Sequence, residues 1–327
     1  MPSTGRAFAR AGLLGNPSDG YGGKVVACPV RNLGVEVAVR PAEGVIIAAG
    51  GVRVEIPTLD EAISGDMLPE ADRLERLVLA ALCRFSRERP EAMRPAGRAA
   101  GLAIECSTTI PRQVGLAGSS ATIIATLRAL CDHFGETIGP FEMAEIALAT
   151  EVEDLDIAAG PMDRVIQSYE QVLVMDFSQP RSPESYRVLH AEVIPPVLIA
   201  WTAAGGRSSG IIHSDLRERW DRGDDDVVGT MREYRDVVDR GVAALKSGDF
   251  ETFADQVDRN FDLRIGVTTV TDEDARMVEV ARAHGAAAKL CGSGGAVLVV
   301  PRGGAGLRSL ERAFAETGFA ACRPEMT

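Results

Sequence analysis

Pro111-Arg112-Gln113-Val114-Gly115-Leu116-Ala117-Gly118-Ser119-Ser120-Ala121 joins a stretch that reads as a strand, residues 99 to 110, to one that reads as a helix. Gly115 and Gly118 permit a tight backbone turn. Ser119 and Ser120 fall at the cap of a helix whose inner side carries Ile123, Ile124, Leu127 and Leu130. The unpaired N–H groups and partial positive charge of a helix N-terminus can receive a phosphate, and a serine hydroxyl can reach a metal ion. An ordinary capped helix after a glycine turn accounts for the same residues equally well. The loop is not a Walker A sequence, because G-x-x-x-x-G-K-[ST] needs a lysine that is absent here.

On the N-terminal side, residues 24 to 56 read as strands. Val35, Val37 and Val39 alternate with Glu36 and Ala38, and Val45-Ile46-Ile47 faces Val52, Val54 and Ile56 across an Ala-Gly-Gly turn. Leu74, Leu77, Val78, Ala81 and Leu82 then share one face of a helix spanning about 70 to 87. On the C-terminal side a helix is expected over 140 to 152 and a strand over Val172 to Phe177, with a Pro/Ser-rich linker at Pro180 to Ser185. Beyond it come a strand at Val197 to Trp201 and helices near 209 to 222, 226 to 247, 249 to 263 and 272 to 284. A strand, glycine turn and strand over 286 to 300, a helix near 306 to 317 and a last short strand complete the chain. Strands and helices mix without regular βαβ alternation, so the expected class is α+β, in two domains divided at 185/186.

With 327 residues, 46% of them hydrophobic and 25% charged, the chain can bury a substantial core. Its net charge of -12 opposes non-specific attraction to nucleic acid or to an anionic membrane. MPSTGRAFARAG lacks the apolar run of a signal peptide, and the longest apolar stretches, such as Gly295 to Val300, are strand-sized. Six scattered cysteines and four scattered histidines form no metal-ligand spacing. A cytoplasmic protein, monomeric or homodimeric, with reduced thiols and small-molecule ligands is expected.

Two further stretches carry glycine turns. Arg10-Ala11-Gly12-Leu13-Leu14-Gly15-Asn16-Pro17-Ser18-Asp19-Gly20-Tyr21-Gly22-Gly23 reads by itself only as a turn, and Lys289-Leu290-Cys291-Gly292-Ser293-Gly294-Gly295-Ala296 only as a hairpin. In order and spacing, however, these two and the loop at 111 to 121 resemble the three motifs of the GHMP kinases, a family that includes galactokinase, homoserine kinase, mevalonate kinase and phosphomevalonate kinase. Most members run Gly-Leu-Gly-Ser-Ser-Ala in the second motif, so Ala117 is one additional residue. Asn16-Pro17 stands where galactokinases carry Glu-His. The forms P-R-Q-x-G-L-x-G-S-S-A and G-N-P-S-D-G-Y-G-G-K are similar to the glucuronokinase branch.

This resemblance implies an N-terminal domain of the ribosomal-protein-S5-domain-2-like type (1–185) and a C-terminal ferredoxin-like α/β sandwich (186–327). It implies ATP and Mg2+ as cofactors and a sugar or sugar acid as acceptor. Pro111, Gly115, Leu116, Ala117, Gly118, Ser119, Ser120 and Ala121, with Gly292, Ser293 and Gly294, would bind ATP. The segment Ala159-Gly160-Pro161-Met162-Asp163-Arg164 resembles the family's G-x-x-D, which implies Asp163 as base or hydroxyl orienter, with Arg10 at the reacting centre. Asp19, Gly20, Tyr21, Lys24, Arg207 and Ser208 would face the substrate. Mg2+ would take oxygen from Ser120, with Ser119 the alternative, and from a glutamate that alignment places at Glu153, with Glu151 a rival.

Lys24, Arg112, Arg164, Arg207 and Arg217 are the cations available to an anionic substrate. A uronate such as D-glucuronate, phosphorylated at the anomeric hydroxyl, is the leading acceptor. Another sugar of the galactose or heptose type, a mevalonate- or homoserine-type alcohol, and a non-catalytic ATP- and sugar-sensing relative stay open beside it.

Overall fold

Val35, Val37 and Val39 are buried while Glu36 faces solvent, the period-two burial of a strand packed on one side. They belong to a computed structural model that describes residues 1–64, 74–93, 101–202 and 210–327. Its elements begin with β1 (Ser3–Leu14), β2 (Lys24–Ala42), β3 (Val45–Ala49), β4 (Val52–Ile56), α1 (Leu59–Ile63), α2 (Leu74–Glu88) and α3 (Pro90–Met93). Next come β5 (Gly101–Thr108), α4 (Gly118–Phe134), α5 (Pro140–Ala149), α6 (Met162–Tyr169), β6 (Leu173–Asp176), β7 (Tyr186–Val188) and β8 (Leu198–Thr202). The chain ends with α7 (Gly210–Asp221), α8 (Asp225–Ser247), α9 (Phe250–Val267), α10 (Asp272–Ala283), β9 (Ala286–Leu290), β10 (Ala296–Pro301), α11 (Leu307–Glu316) and β11 (Phe319–Cys322).

Spatial grouping gives two units: Met1–Ala9, Leu33–Ile110 and Ala117–Tyr169 in the first, and Arg10–Asn32, Pro111–Leu116 and Glu170–Thr327 in the second. The grouping differs from a single cut at residue 185, because β1, β2 and the 111–121 loop each run from one unit into the other.

The first unit holds a sheet in the order β4-β3-β5-β2. β3 and β5 run parallel, while β5 is antiparallel to residues 35–42 of β2. The β3–β4 hairpin turns on Gly50 and Gly51, both at positive φ, the backbone glycine adopts without a Cβ clash. Leu79, Leu82 and Phe85 of α2 and Ile123, Ile124 and Leu127 of α4 are fully buried, and the Phe85 and Phe134 rings stack 5.7 Å apart. The helix expected over 140–152 is α5 as far as Ala149, followed by one widened turn over Thr150–Asp154.

In the second unit β11-β8-β10-β9 form an antiparallel sheet. Leu198, Val297 and Val299 from this sheet, Phe261 of α9, Met277 of α10 and Phe314 of α11 share one apolar cluster. Residues 24–27 of β2 pair antiparallel with β6, and β6 with β7, a short strand directly after the segment read as a linker. Gly248, in the left-handed conformation, ends α8, and the Asp249 carboxylate accepts from Thr252 N–H to start α9. The α+β class read from the sequence is the class observed. All six cysteines are free thiols. Among the described residues no helix is long and apolar enough to cross a membrane.

Candidate active site

In the first unit the serine-rich loop enters α4 through Ala117, which takes a left-handed φ of 62°. Gln167 of α6 holds this entry in place, its Nε2 donating to the carbonyls of Ala117 (2.8 Å) and Phe8 (3.0 Å). Ser120 is fully buried and its hydroxyl donates back to Ala117 O at 3.3 Å. The Ser119 hydroxyl donates instead to Glu151 Oε1 at 2.9 Å.

The widened turn after α5 settles which glutamate meets this helix start. Glu151 is 0% exposed, whereas the Glu153 side chain is 64% exposed and pairs with Arg84 Nη2 at 2.8 Å. Residues two apart on a helix point about 200° apart, so only one of the pair can face α4. Glu151 Oε2 is also gripped by the Arg164 guanidinium through Nε and Nη2. Arg164 Nη1 donates to Gly160 O at 2.6 Å and lies 3.8 Å from Asp163 Oδ2, in the first turn of α6. Ser119, Glu151, Arg164 and Asp163 thus form one connected polar chain. The alignment-based choice of Glu153 put the carboxylate on the wrong side of the turn for contact with the serines.

Among the described residues no three His, Cys, Asp or Glu side chains gather to hold a metal unaided. A carboxylate and a hydroxyl at a helix N-terminus nevertheless form the oxygen-donor set that suits a hard cation whose other ligands are phosphate and water.

In the second unit the first motif, the 111–116 part of the loop and the third motif meet at Arg10. Its Nη1 donates to Gly115 O at 2.7 Å and Cys291 O at 3.4 Å, and its backbone N–H to Leu116 O at 3.3 Å. The glycines explain how these segments approach so closely. A Cβ on Gly292 would stand 2.4 Å from Gly115 O and 2.7 Å from Arg10 Nη2; one on Gly115, itself at φ +68°, would stand 2.4 Å from Gly294 O. No side chain fits those gaps.

Buried cations pin the glycine turn from beneath. Lys289 Nζ donates to Gly12 O (2.8 Å), Asn16 Oδ1 (2.5 Å) and Leu290 O (2.7 Å), which uses all three ammonium N–H groups. Burial lowers its pKa to about 7 and raises those of the Cys28 and Cys291 thiols to about 12. Arg264 donates to Gly292 O (2.9 Å) and Ser293 O (2.8 Å), and burial likewise lowers its pKa. Asp274 Oδ1 accepts from Gly295 N–H at 2.7 Å, and Asn260 clamps the first motif by accepting from Gly15 N–H (2.6 Å) and donating to Asn16 O (3.2 Å). Gln167, Asn260, Arg264 and Asp274 lie outside the motifs, and Lys289 opens the third of them. Each acts across a long sequence separation, and no local pattern marks it.

Asp19, Gly20 and Tyr21 lie on the short helical turn Ser18–Tyr21. The Tyr21 and Trp220 rings are 5.3 Å apart, and burial, the largest influence, raises the Tyr21 pKa. Lys24 Nζ lies 2.5 Å from Asp239 Oδ1, so its charge is already matched. Arg207 and Ser208 lie outside the described residues.

Comparison with known proteins bears on the same segments. The family model described as GHMP kinases N terminal domain matches residues 76–171, and GHMP kinases C terminal matches residues 242–318. The chain is 33% identical to Glucuronokinase 1 of Arabidopsis thaliana over 326 residues, 96% of this chain and 89% of that protein. It is 33% identical over 330 residues to Probable glucuronokinase 2 of the same plant, covering 96% of this chain and 88% of the relative. The solved mevalonate kinase of Methanococcus jannaschii superposes with a TM-score of 0.80 at 17% identity, covering 100% of this chain and 99% of that one, a likeness of fold.

Proposed function

The chain belongs to the GHMP kinases, and from that premise we propose that it transfers the γ-phosphoryl group of ATP, with Mg2+, to the anomeric hydroxyl of a uronate, D-glucuronate foremost. The observation that carries the catalytic reading is the chain Ser119–Glu151–Arg164–Asp163 at the start of α4, which brings a cation-binding pair and a carboxylate base into one network. The choice of acceptor rests on the two plant relatives and the branch-like form of the first two motifs.

In this mechanism the anomeric oxygen attacks the γ-phosphorus, that O–P bond forms as the bridging O–P bond to ADP breaks, and the displaced proton passes to the Asp163 carboxylate. Backbone N–H groups of 118–120, at the start of α4, receive the phosphates. Ser119, Ser120 and Glu151 would hold Mg2+, which when bound neutralises phosphate charge. Glu151 takes the place first given to Glu153. Arg164 supplies the countercharge that a fully buried carboxylate requires. The two matched family models fall on either side of residue 185, which supports a division into 1–185 and 186–327.

The test is ADP release across uronates, neutral aldoses, mevalonate and homoserine, with the new phosphate located by NMR. Phosphorylation at C1 of a uronate is expected; ATP binding without turnover on any uronate would overturn the proposal. Asp163→Asn is expected to lose turnover and keep ATP affinity, and unchanged turnover would remove Asp163 from the chemistry.

A further inference from the structure

Resting on the sugar-acid reading above, we propose that Arg217 reads the substrate carboxylate, through a guanidinium stacked on Tyr21 and anchored to the Gly20 carbonyl. Arg217 lies on α7, and Asp19, the residue implied to hold sugar hydroxyls, is part of the Ser18–Tyr21 turn that this arginine touches. The Arg217 Cζ atom is 4.6 Å from the Tyr21 ring centroid, and its Nη2 donates to Gly20 O at 2.8 Å. Tyr21 is a firm platform, only 9% exposed and packed against Trp220.

Among the described residues the charge of Arg217 is uncommitted, unlike that of three other cations of the second unit. Arg219 pairs with Asp224, Arg235 with Asp176 and Lys24 with Asp239. Among the described residues no carboxylate forms an ion pair with Arg217, and Gly20 O is its one hydrogen-bond acceptor. Asp19 and Asp221 are close enough to influence the Tyr21 hydroxyl electrostatically, yet neither engages the guanidinium. Stacking on an aromatic face fixes the guanidinium plane and shields one side from water. Nε, Nη1 and the second Nη2 proton remain as a fork whose geometry matches a carboxylate. Because ring and carbonyl already hold the fork, little side-chain entropy is lost when a carboxylate arrives. A neutral CH2OH at the same position could take one hydrogen bond and no charge pairing, so the arrangement discriminates a uronate from its aldose.

The experiment compares wild type, Arg217→Gln and Arg217→Lys on D-glucuronate and D-glucose, the aldose serving as substrate or competitive inhibitor, with KM for ATP and thermal melting as controls. Hydrogen bonds to charged groups set the scale, so Arg217→Gln should raise KM for glucuronate roughly 10- to 150-fold. The glucuronate-to-glucose preference should collapse while KM for ATP stays within about two-fold. Arg217→Lys keeps the charge but not the planar fork and should recover only part of the loss; it is also the informative variant if Arg217→Gln fails to fold. If wild type uses uronates and both variants keep the preference, or lose both sugars equally, the carboxylate role is overturned and the sugar-acid reading stands. If wild type prefers neutral sugars, the sugar-acid reading falls and the role of Arg217 falls with it.

Discussion

Glu151→Gln separates the two carboxylates that compete for the cation. The amide keeps an acceptor oxygen for the Ser119 hydroxyl but removes the negative charge facing Arg164, whose side chain is 5% exposed. Breaking a buried ion pair from one side costs about 3–5 kcal/mol, because the surviving charge is stranded. Arg164 retains the Gly160 carbonyl at 2.6 Å and Asp163 at 3.8 Å, which places the cost near the lower end, ~3 kcal/mol. That is less than the roughly 5–15 kcal/mol by which proteins are stable, so the variant should fold, with a melting temperature lowered by roughly 6–12 °C. Turnover should fall roughly 10²- to 10³-fold, the scale for losing one preorganised electrostatic group, and the Mg2+ requirement should rise. Glu153→Gln disturbs an exposed pair worth about 0–1 kcal/mol, and Arg84 keeps both oxygens of Asp154 at 2.8 and 2.9 Å. The assay is ADP release titrated with MgCl2 at fixed ATP, run well below both melting temperatures. A second substitution, Arg164→Gln on the Glu151→Gln background, should restore part of the stability and none of the activity. The reasoning is refuted if folded Glu151→Gln titrates with Mg2+ like wild type while Glu153→Gln shifts the curve.

Gly292→Ala places a Cβ 2.4 Å from Gly115 O, a backbone atom that cannot swing aside, and should cost about 1–3 kcal/mol in melting experiments while raising KM for ATP; a variant with wild-type melting and KM would mean the turn does not need this close approach. Lys289 gives a pH signature with a definite sign. Its pKa is about 7 folded against 10.5 for an ordinary lysine, so between those values the unfolded chain holds more protons and stability from this group rises with pH. Above about pH 9 the Cys28 and Cys291 thiols, raised to about 12, act the other way, because the folded state keeps protons that the unfolded chain releases. Urea unfolding from pH 7 to 9 should therefore show a positive slope that Lys289→Met flattens; equal slopes would show that the buried ammonium keeps an ordinary pKa.

Large branched side chains made much of the fold legible. Val35, Val37 and Val39 show their strand by alternation, and the apolar stripes of α2 and α4 show their helices by period. β1 escaped because Gly5, Ala7, Ala9 and Ala11, its inward residues, are small and poor strand formers, so the alternation was present without hydrophobic weight. The Pro180–Ser185 composition marks a turn-rich stretch, and turn residues report local chain direction. The grouping into units depends on which distant segments pack together, and β1 and β2 pass through both.

The same distinction governs the site. Glycine spacing told where the backbone turns, but the reason for each glycine lies in a distant segment: Gly292 is small because Gly115 O and Arg10 occupy the space a Cβ would take. Lys289 and Arg264 read from sequence as any basic residues, since a cation satisfied by backbone carbonyls needs no acidic partner and leaves no charge pattern. For the two glutamates the loss of information is rotational. Motif alignment counts residues along the chain, and Glu151 and Glu153, two residues apart, point about 200° apart around a helix, enough to exchange a buried contact with Ser119 for an exposed one with Arg84. An assignment made by alignment across a gap in a helix therefore holds only to within one turn, and which carboxylate meets Ser119 is set by the path of the helix, not by the motif.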